Sequence, residues 1–280
     1  MEIIDSYPDI IRLFARMAGR FDLASWHRYA EAISPELAEL CRADSARYDF
    51  DAQVLPVLAR AMARPDKLAE AHASFFAATK GLAARAQAAF GVRIPARIIF
   101  YLGLCGGAGW ATRLDGQPAV LLGAEKIIEL DWCDPATLRG LVEHEVSHLW
   151  HDVTGTLYCD TETPGEAALW QLYQEGIATY GQQLLAGDAG YYHQNRNGWL
   201  DWCQTRRQPL LAEYKRRVDQ HESVQDFFGD WCSYQGYSDI GYYLGGQLAR
   251  YLVERCSRAE LLNQTPEGIY AALRALAASD

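Results

Sequence analysis

Apolar positions along this chain fall into two textures. Residues 1 to about 90 place them at helical spacing, which predicts helices over Ile4 to Met17, Ser34 to Arg42, Ala52 to Arg64 and Asp66 to Phe90. At Gly91 the texture changes. Arg97 to Leu104 is a short β-like run bounded by Pro95 and a glycine cluster. Trp110 to Leu114 and Pro118 to Leu122 then flank Asp115-Gly116, a dipeptide that turns readily because glycine tolerates positive φ, so a hairpin is expected. Helical spacing returns after Asp134 and holds for most of the remainder, including an amphipathic charged stretch from Asn197 to Gln220, a helix opened by Ile240, and a closing helix from Thr265 to Ala278. The expected fold class is α+β, mainly α, with one small sheet. A helical N-terminal region (1–90) precedes a second region (91–280), together forming one compact unit.

The first helix after the hairpin has clear ends. Asp134 can cap it, Pro135 suits its first turn, Leu138, Leu141, Val142 and Leu149 recur on one face, and Gly155 offers a stop. Its middle reads His144-Glu145-Val146-Ser147-His148, or H-E-x-x-H. Two histidines four apart lie one turn along the same face, separated by roughly 6 Å of rise, so both imidazoles can reach one ion at ~2.0–2.1 Å. At about 100° per residue, Glu145 falls about 20° from Leu138 and about 40° from Leu149, on the inward stripe. A carboxylate placed inward between two metal-binding histidines suits a general base, which must stand beside an activated water without ligating the metal.

Two imidazoles and a water leave a catalytic zinc one protein ligand short. The preferred third is Glu175, in Gln174-Glu175-Gly176-Ile177-Ala178, on a helix that Thr163, Pro164 and Glu166 open as a capping box and Gly187 closes. From Ala167 through Ala186 Glu175 is the one charged residue. A carboxylate in the middle of a buried helix costs several kcal/mol unless a cation or strong donors receive it, and a metal would be that cation. Rivals are His151, on roughly the same face as His144 and His148 and read as a neighbour of the site or a surface group, and Cys159, Asp160, Glu162 and Glu166 in the connecting segment. His27 and His72 read as surface or packing residues.

H-E-x-x-H followed a few tens of residues later by E-G-x-A resembles the gluzincin metallopeptidases, in particular the aminopeptidases among them and less characterised bacterial zinc proteases built alike. The resemblance covers roughly residues 95 to 255. It implies a zincin-like core, one zinc per chain held by His144, His148 and Glu175, and Glu145 as base. Glu175 follows His148 by 27 residues, further than is usual in that group, which calls for a longer connection between the two helices. The aminopeptidases carry a tyrosine three residues before a helical glycine, a pattern that maps onto Tyr242, whose phenol would bind the oxyanion of the attacked carbonyl; Tyr243 is the alternative. In such enzymes an outer strand pairs with an extended substrate, and Ala119 to Gly123 is the candidate for it.

The expected activity is zinc-dependent hydrolysis of peptide bonds in a peptide or protein substrate. The alternative is a catalytically inactive, metal-bearing peptide-binding or regulatory protein, and a third reading is a helical protein without metal. A net charge of −10 over 280 residues disfavours nucleic acid and anionic membranes as partners. No run reaches the ~18 apolar residues of a membrane span, and Asp5, Asp9, Arg12 and Arg16 interrupt any signal-peptide core. Seven scattered cysteines without C-x-x-C point to reduced thiols and a cytoplasmic setting. The glycines at 106, 107 and 109 could cradle an anion, but no helix with phosphate-loop spacing follows them.

Overall fold

Each element forms where local signals and long-range pairing agree, and a computed structural model describes residues 1–229 and 231–278. The chain divides into two compact units, Met1–Leu149 and Trp150–Asp280, with the division falling inside one continuous helix.

The first unit holds the sheet. Its strands are β1 (Glu2–Asp5), β2 (Arg97–Tyr101), β3 (Gly109–Leu114) and β4 (Gln117–Gly123), in the order β1-β2-β4-β3. β1 runs parallel to β2 and β2 parallel to β4, while β3 returns antiparallel to β4 through the expected hairpin. Asp115 and Gly116 both take positive φ, 50° and 73°, the conformation a two-residue hairpin turn requires. Six α-helices separate β1 from β2: α1 (Tyr7–Met17), α2 (Leu23–Ile33), α3 (Pro35–Ser45), α4 (Leu55–Met62), which a π-helical turn (Phe50–Val54) leads into, α5 (Pro65–Thr79) and α6 (Leu82–Phe90). After the sheet come α7 (Ala124–Glu129) and α8 (Pro135–Thr154), the helix that crosses the division.

Three expectations are corrected in this unit. The segment Ala119 to Gly123 is not an outer strand. It bonds β2 on one side, Arg97 to Tyr101 against Ala119 to Gly123, and β3 on the other. Ala119, Val120, Leu121 and Leu122 are all fully buried, as a continuous apolar run is when both sheet faces are covered. The outer strands are β1 and β3.

Secondly, the first helix begins at Tyr7, not Ile4, because Glu2 to Asp5 pair with Arg97 to Phe100. Tertiary bonds hold that strand in place against local helical propensity. Asp5 meets His72 Nε2 at 3.0 Å and Ser6 Oγ donates to the Phe100 carbonyl at 2.7 Å. Residues 1–90 thereby share a sheet and a unit with β2 to β4, whereas the change of sequence texture fell at Gly91. Thirdly, the helix expected over Asp66 to Phe90 is two helices, broken where Gly81 takes φ 66°. Sequence reading also passed over α2, whose cap Asp22 accepts from Ser25 N at 2.9 Å.

The second unit is helical: α9 (Pro164–Ala186), α10 (Trp199–Thr205), α11 (Arg207–Gln220), α12 (Ile240–Val253), α13 (Arg258–Leu261) and α14 (Pro266–Ala277), together with the end of α8. α9 is its centre and is buried on most sides. α12 crosses α9 where Gly176 faces Gly245; a Cβ on Gly176 would lie 2.7 Å from the Gly245 carbonyl carbon, so the two backbones touch. α11 packs on another side, where Tyr214 Oη donates to the Ala168 carbonyl at 2.8 Å. Tyr173 Oη donates to the Leu261 carbonyl at 2.7 Å and joins α9 to α13. No helix among the described residues is long and apolar enough to cross a membrane.

Candidate metal centre

α8 forms as its sequence predicts. Asp134 Oδ1 accepts from the backbone N–H groups of Ala136 at 3.1 Å and Thr137 at 3.0 Å, satisfying two donors of the first turn. The last turn closes with Gly155 N donating to the His151 carbonyl at 2.8 Å. His144 and His148 stand one turn apart, with ring centroids 4.9 Å apart and planes near perpendicular at 85°. His144 is buried and His148 half-buried. Around them Leu138, Leu141, Val142, Val146 and Leu149 carry the apolar side of the helix, all 3% exposed or less.

α9 also begins as expected. Thr163 Oγ accepts from Glu166 N at 3.2 Å, but the reciprocal bond lands one residue early, since Glu166 Oε2 accepts from Glu162 N at 2.8 Å. The helix closes at Gly187 with φ 68°. Glu175 lies at its middle, half-buried, one residue before the Gly176 to Gly245 crossing. Its charge adds to burial in raising the Tyr214 phenol well above its ordinary range.

Among the described residues, the group of histidine, cysteine and acidic side chains able to hold a metal ion is His144, His148 and Glu175. Their ligand atoms all lie within 4.8 Å of one another. A tetrahedral ion with bonds of ~2.0–2.1 Å keeps its ligand atoms roughly 3.4 Å apart. Two neutral imidazoles and one carboxylate, with a fourth position left open, is a donor set of catalytic zinc sites. The three residues could therefore hold a metal ion, and their donor types fit the zinc that the resemblance implied.

Glu145 is 7% exposed and lies outside that group. Its carboxylate rests against the backbone of Gly109, the first residue of the outer strand β3: a Cβ there would come within 2.6 Å of Oε1 and 2.7 Å of Cγ. The base candidate and a strand edge able to pair with an extended chain are thus neighbours in one unit.

The rival ligands have other occupations. His151 is fully buried rather than at the surface, with Nε2 3.1 Å from the Leu262 carbonyl and its ring edge-on to Tyr173. Glu162 and Glu166 build the start of α9, and Cys159 Sγ bonds the Asp160 carbonyl at 3.4 Å. Of the remaining histidines, His193 Nδ1 bonds Gln182 at 2.8 Å, His221 Nδ1 accepts from Gly165 N at 3.2 Å, His27 lies 3.6 Å from Glu31, and His72 stacks on Tyr7.

The two tyrosine candidates differ in setting. Tyr243 is 3% exposed, packs against Tyr192 and Trp199 at centroid distances of 5.9 and 6.5 Å, and burial pushes its phenol up to about 12. Tyr242 is half-buried, edge-on to Phe228 at 5.7 Å, and stands one helical turn before Gly245, where α12 meets the residue after Glu175.

Sequence reading did not single out two buried acids nearby. Glu143, 1% exposed, lies 2.7 Å from Arg139 and 3.5 Å from Arg85. Glu125, fully buried, accepts from Gly103 N and Cys105 N at 2.7 and 3.0 Å. The N–H groups that cradle the second belong to Gly103 and Cys105, not to the glycines at 106, 107 and 109. No protein-family model, curated protein or solved structure matches this chain.

Proposed function

We propose that this protein is a zinc-dependent peptidase of gluzincin type with a zincin-like core, acting on a peptide or protein substrate. The observation that carries the reading is the convergence of His144, His148 and Glu175, with a second acid, Glu145, between the two histidines on α8 and kept out of the ligand set. His144 and His148 would bind the ion from α8 and Glu175 from α9. When bound, zinc supplies Lewis acidity that makes water a competent nucleophile near neutral pH and polarises the scissile carbonyl.

The rest is the work of the chain. Glu145 accepts the proton of the attacking water at its carboxylate and returns it to the leaving nitrogen as the C–N bond breaks. Burial keeps competing bulk water away from that carboxylate, and the Gly109 backbone limits where it can stand. The Tyr242 hydroxyl donates to the oxygen that gains charge as the carbonyl becomes tetrahedral, whereas Tyr243 is committed to its aromatic neighbours. The outer edge of β3 would offer backbone donors and acceptors to an extended substrate, in place of Ala119 to Gly123. All seven cysteines are thiols, in keeping with a reducing, cytoplasmic setting.

A fluorogenic peptide library, assayed with zinc-loaded protein, with chelator and with Glu145→Gln, tests this. The expected result is cleavage that chelator removes and that Glu145→Gln lowers by about a thousandfold or more while zinc stays bound. Stoichiometric zinc with no cleavage of any sequence refutes hydrolysis and leaves a metal-bearing binding protein. Cleavage by Glu145→Gln at the wild-type rate removes Glu145 from the chemistry.

A further inference from the structure

Glu125 is a buried acid that the proposed chemistry does not use and, unlike Glu143, which pairs with arginines, it accepts from backbone N–H groups. It sits in the first turn of α7, two residues beyond the end of β4, and is 0% exposed. Burial raises its pKa above the ordinary carboxylate value, and the backbone N–H groups of Gly103 and Cys105 pull it back. A carboxylate held this way is expensive to bury and is retained only where its two oxygens fix something that an apolar side chain could not.

What they fix is the loop from Gly103 to Ala108, which joins β2 to β3. Oε2 takes the N–H of Gly103 and Oε1 that of Cys105. The carboxylate fills space left by two absent side chains, since a Cβ on Gly103 would lie 2.5 Å from Oε1 and one on Gly123 would lie 3.2 Å from it. The loop follows an uncommon path, with Cys105 at φ 69° and Gly107 at φ 146°. Its start is pinned separately at Leu102, whose N–H donates to Tyr29 Oη at 2.9 Å and whose carbonyl accepts from Trp26 Nε1 at 2.9 Å. Its end is tied back to β4 by Gly123 N donating to the Ala108 carbonyl at 3.0 Å. The next residue is Gly109, against whose backbone the Glu145 carboxylate rests.

We infer that Glu125 is a positioning residue for Glu145: by clamping the 103–108 loop it sets the Gly109 backbone that limits where the Glu145 carboxylate can stand. The inference rests on the hydrolytic reading for its effect on turnover, and on geometry alone for the clamp. Glu125 touches neither substrate nor metal in this scheme. Losing it leaves the three ligands in place and lets the base drift, and misplacement of a reacting group by about 1 Å costs on the order of a hundredfold in rate.

The test uses the full chain carrying Glu125→Gln, Gly109→Ala or both. In Glu125→Gln, amide hydrogen exchange over residues 103–110 should quicken about tenfold or more while zinc stoichiometry is unchanged. The kcat for a cleaved peptide should fall by about tenfold to a hundredfold with KM within about twofold. Gly109→Ala should give a similar kcat loss, and the double variant should lose little more than the worse single one, because both act through one contact. Fully additive losses, or exchange over 103–110 that stays at the wild-type rate, overturn the inference.

Should wild-type protein cleave nothing, the peptidase reading fails, yet the clamp is still tested by crystal structures of wild type and Glu125→Gln. A Glu145 carboxylate displaced by about 1 Å supports the inference and an unmoved one refutes it. If Glu125→Gln does not fold, Gly103→Ala, which crowds Oε1 and keeps the charge, carries the same measurements.

Discussion

Replacing Gly176 by alanine tests whether the backbone contact beside Glu175 shapes the site. The new Cβ would lie 2.7 Å from the Gly245 carbonyl carbon and 3.1 Å from its Cα, so the obstacle is main chain that cannot rotate aside. Crowding a packed core costs about 1–3 kcal/mol, and a rigid obstacle places this case near the upper end. Alanine is the better helix former by about 1 kcal/mol, which offsets part of that cost. The net loss is about 2 kcal/mol, or roughly 4–8 °C in Tm at about 2–4 °C per kcal/mol for a large domain. α12 must move off α9 at the residue next to Glu175, so zinc affinity should also fall, by about tenfold or more. Thermal melts of zinc-free and zinc-loaded protein measure both effects. Gly190→Ala is the control: its Cβ would meet only Asp188 Oδ1, at an ordinary 3.4 Å, and the expected change is within about 0.5 kcal/mol. A Gly176→Ala protein that melts at or above the wild-type temperature and binds zinc as tightly refutes the reasoning.

Further outcomes follow from the helix ends and the ion pairs. Asp134→Ala removes the acceptor of two N–H groups at the start of α8 and should cost about 1 kcal/mol by urea denaturation, whereas Asp134→Ser should recover most of it. Glu213 is held down to about 2, chiefly by its hydrogen bonds from Arg216, with Arg217 adding to the effect. In the window between about 2 and about 4.3 the unfolded chain binds more protons at this site than the folded one, so its contribution is complete above that window and lost as pH falls through it. Glu213→Gln should therefore lower the urea midpoint at pH 6 and close most of the gap to wild type near pH 2; a gap independent of pH contradicts the assignment.

How much of this was legible in sequence depended on how local the signal was. α8 and α9 carry their own punctuation, Asp134-Pro135 and Gly155 for one and Thr163-Pro164 and Gly187 for the other, and both formed where expected. The hairpin was equally readable, because Asp115-Gly116 demands its turn whatever lies around it. β1 was not. Glu2 to Asp5 is four residues long and becomes a strand only by pairing with Arg97 to Phe100, far away in the chain. Strand order fails for the same reason, although one clue was present: Ala119 to Leu122 is uniformly apolar, as an inner strand should be, while Thr112 and Arg113 mark β3 as the edge. In the site, spacing brought forward His144 and His148, and Glu175 stood out as the one charged residue from Ala167 through Ala186. The cradle of Glu125 had no local signature, since the acid and the N–H groups it receives come from separate segments that only the folded sheet brings together.

Titration of zinc into chelator-stripped protein, wild type beside Glu175→Gln, tests the central claim most directly. The account predicts one zinc per wild-type chain and an affinity at least a hundredfold weaker in the variant, with the fold intact by circular dichroism. Equal binding by the two proteins, or no binding by wild type, would contradict it.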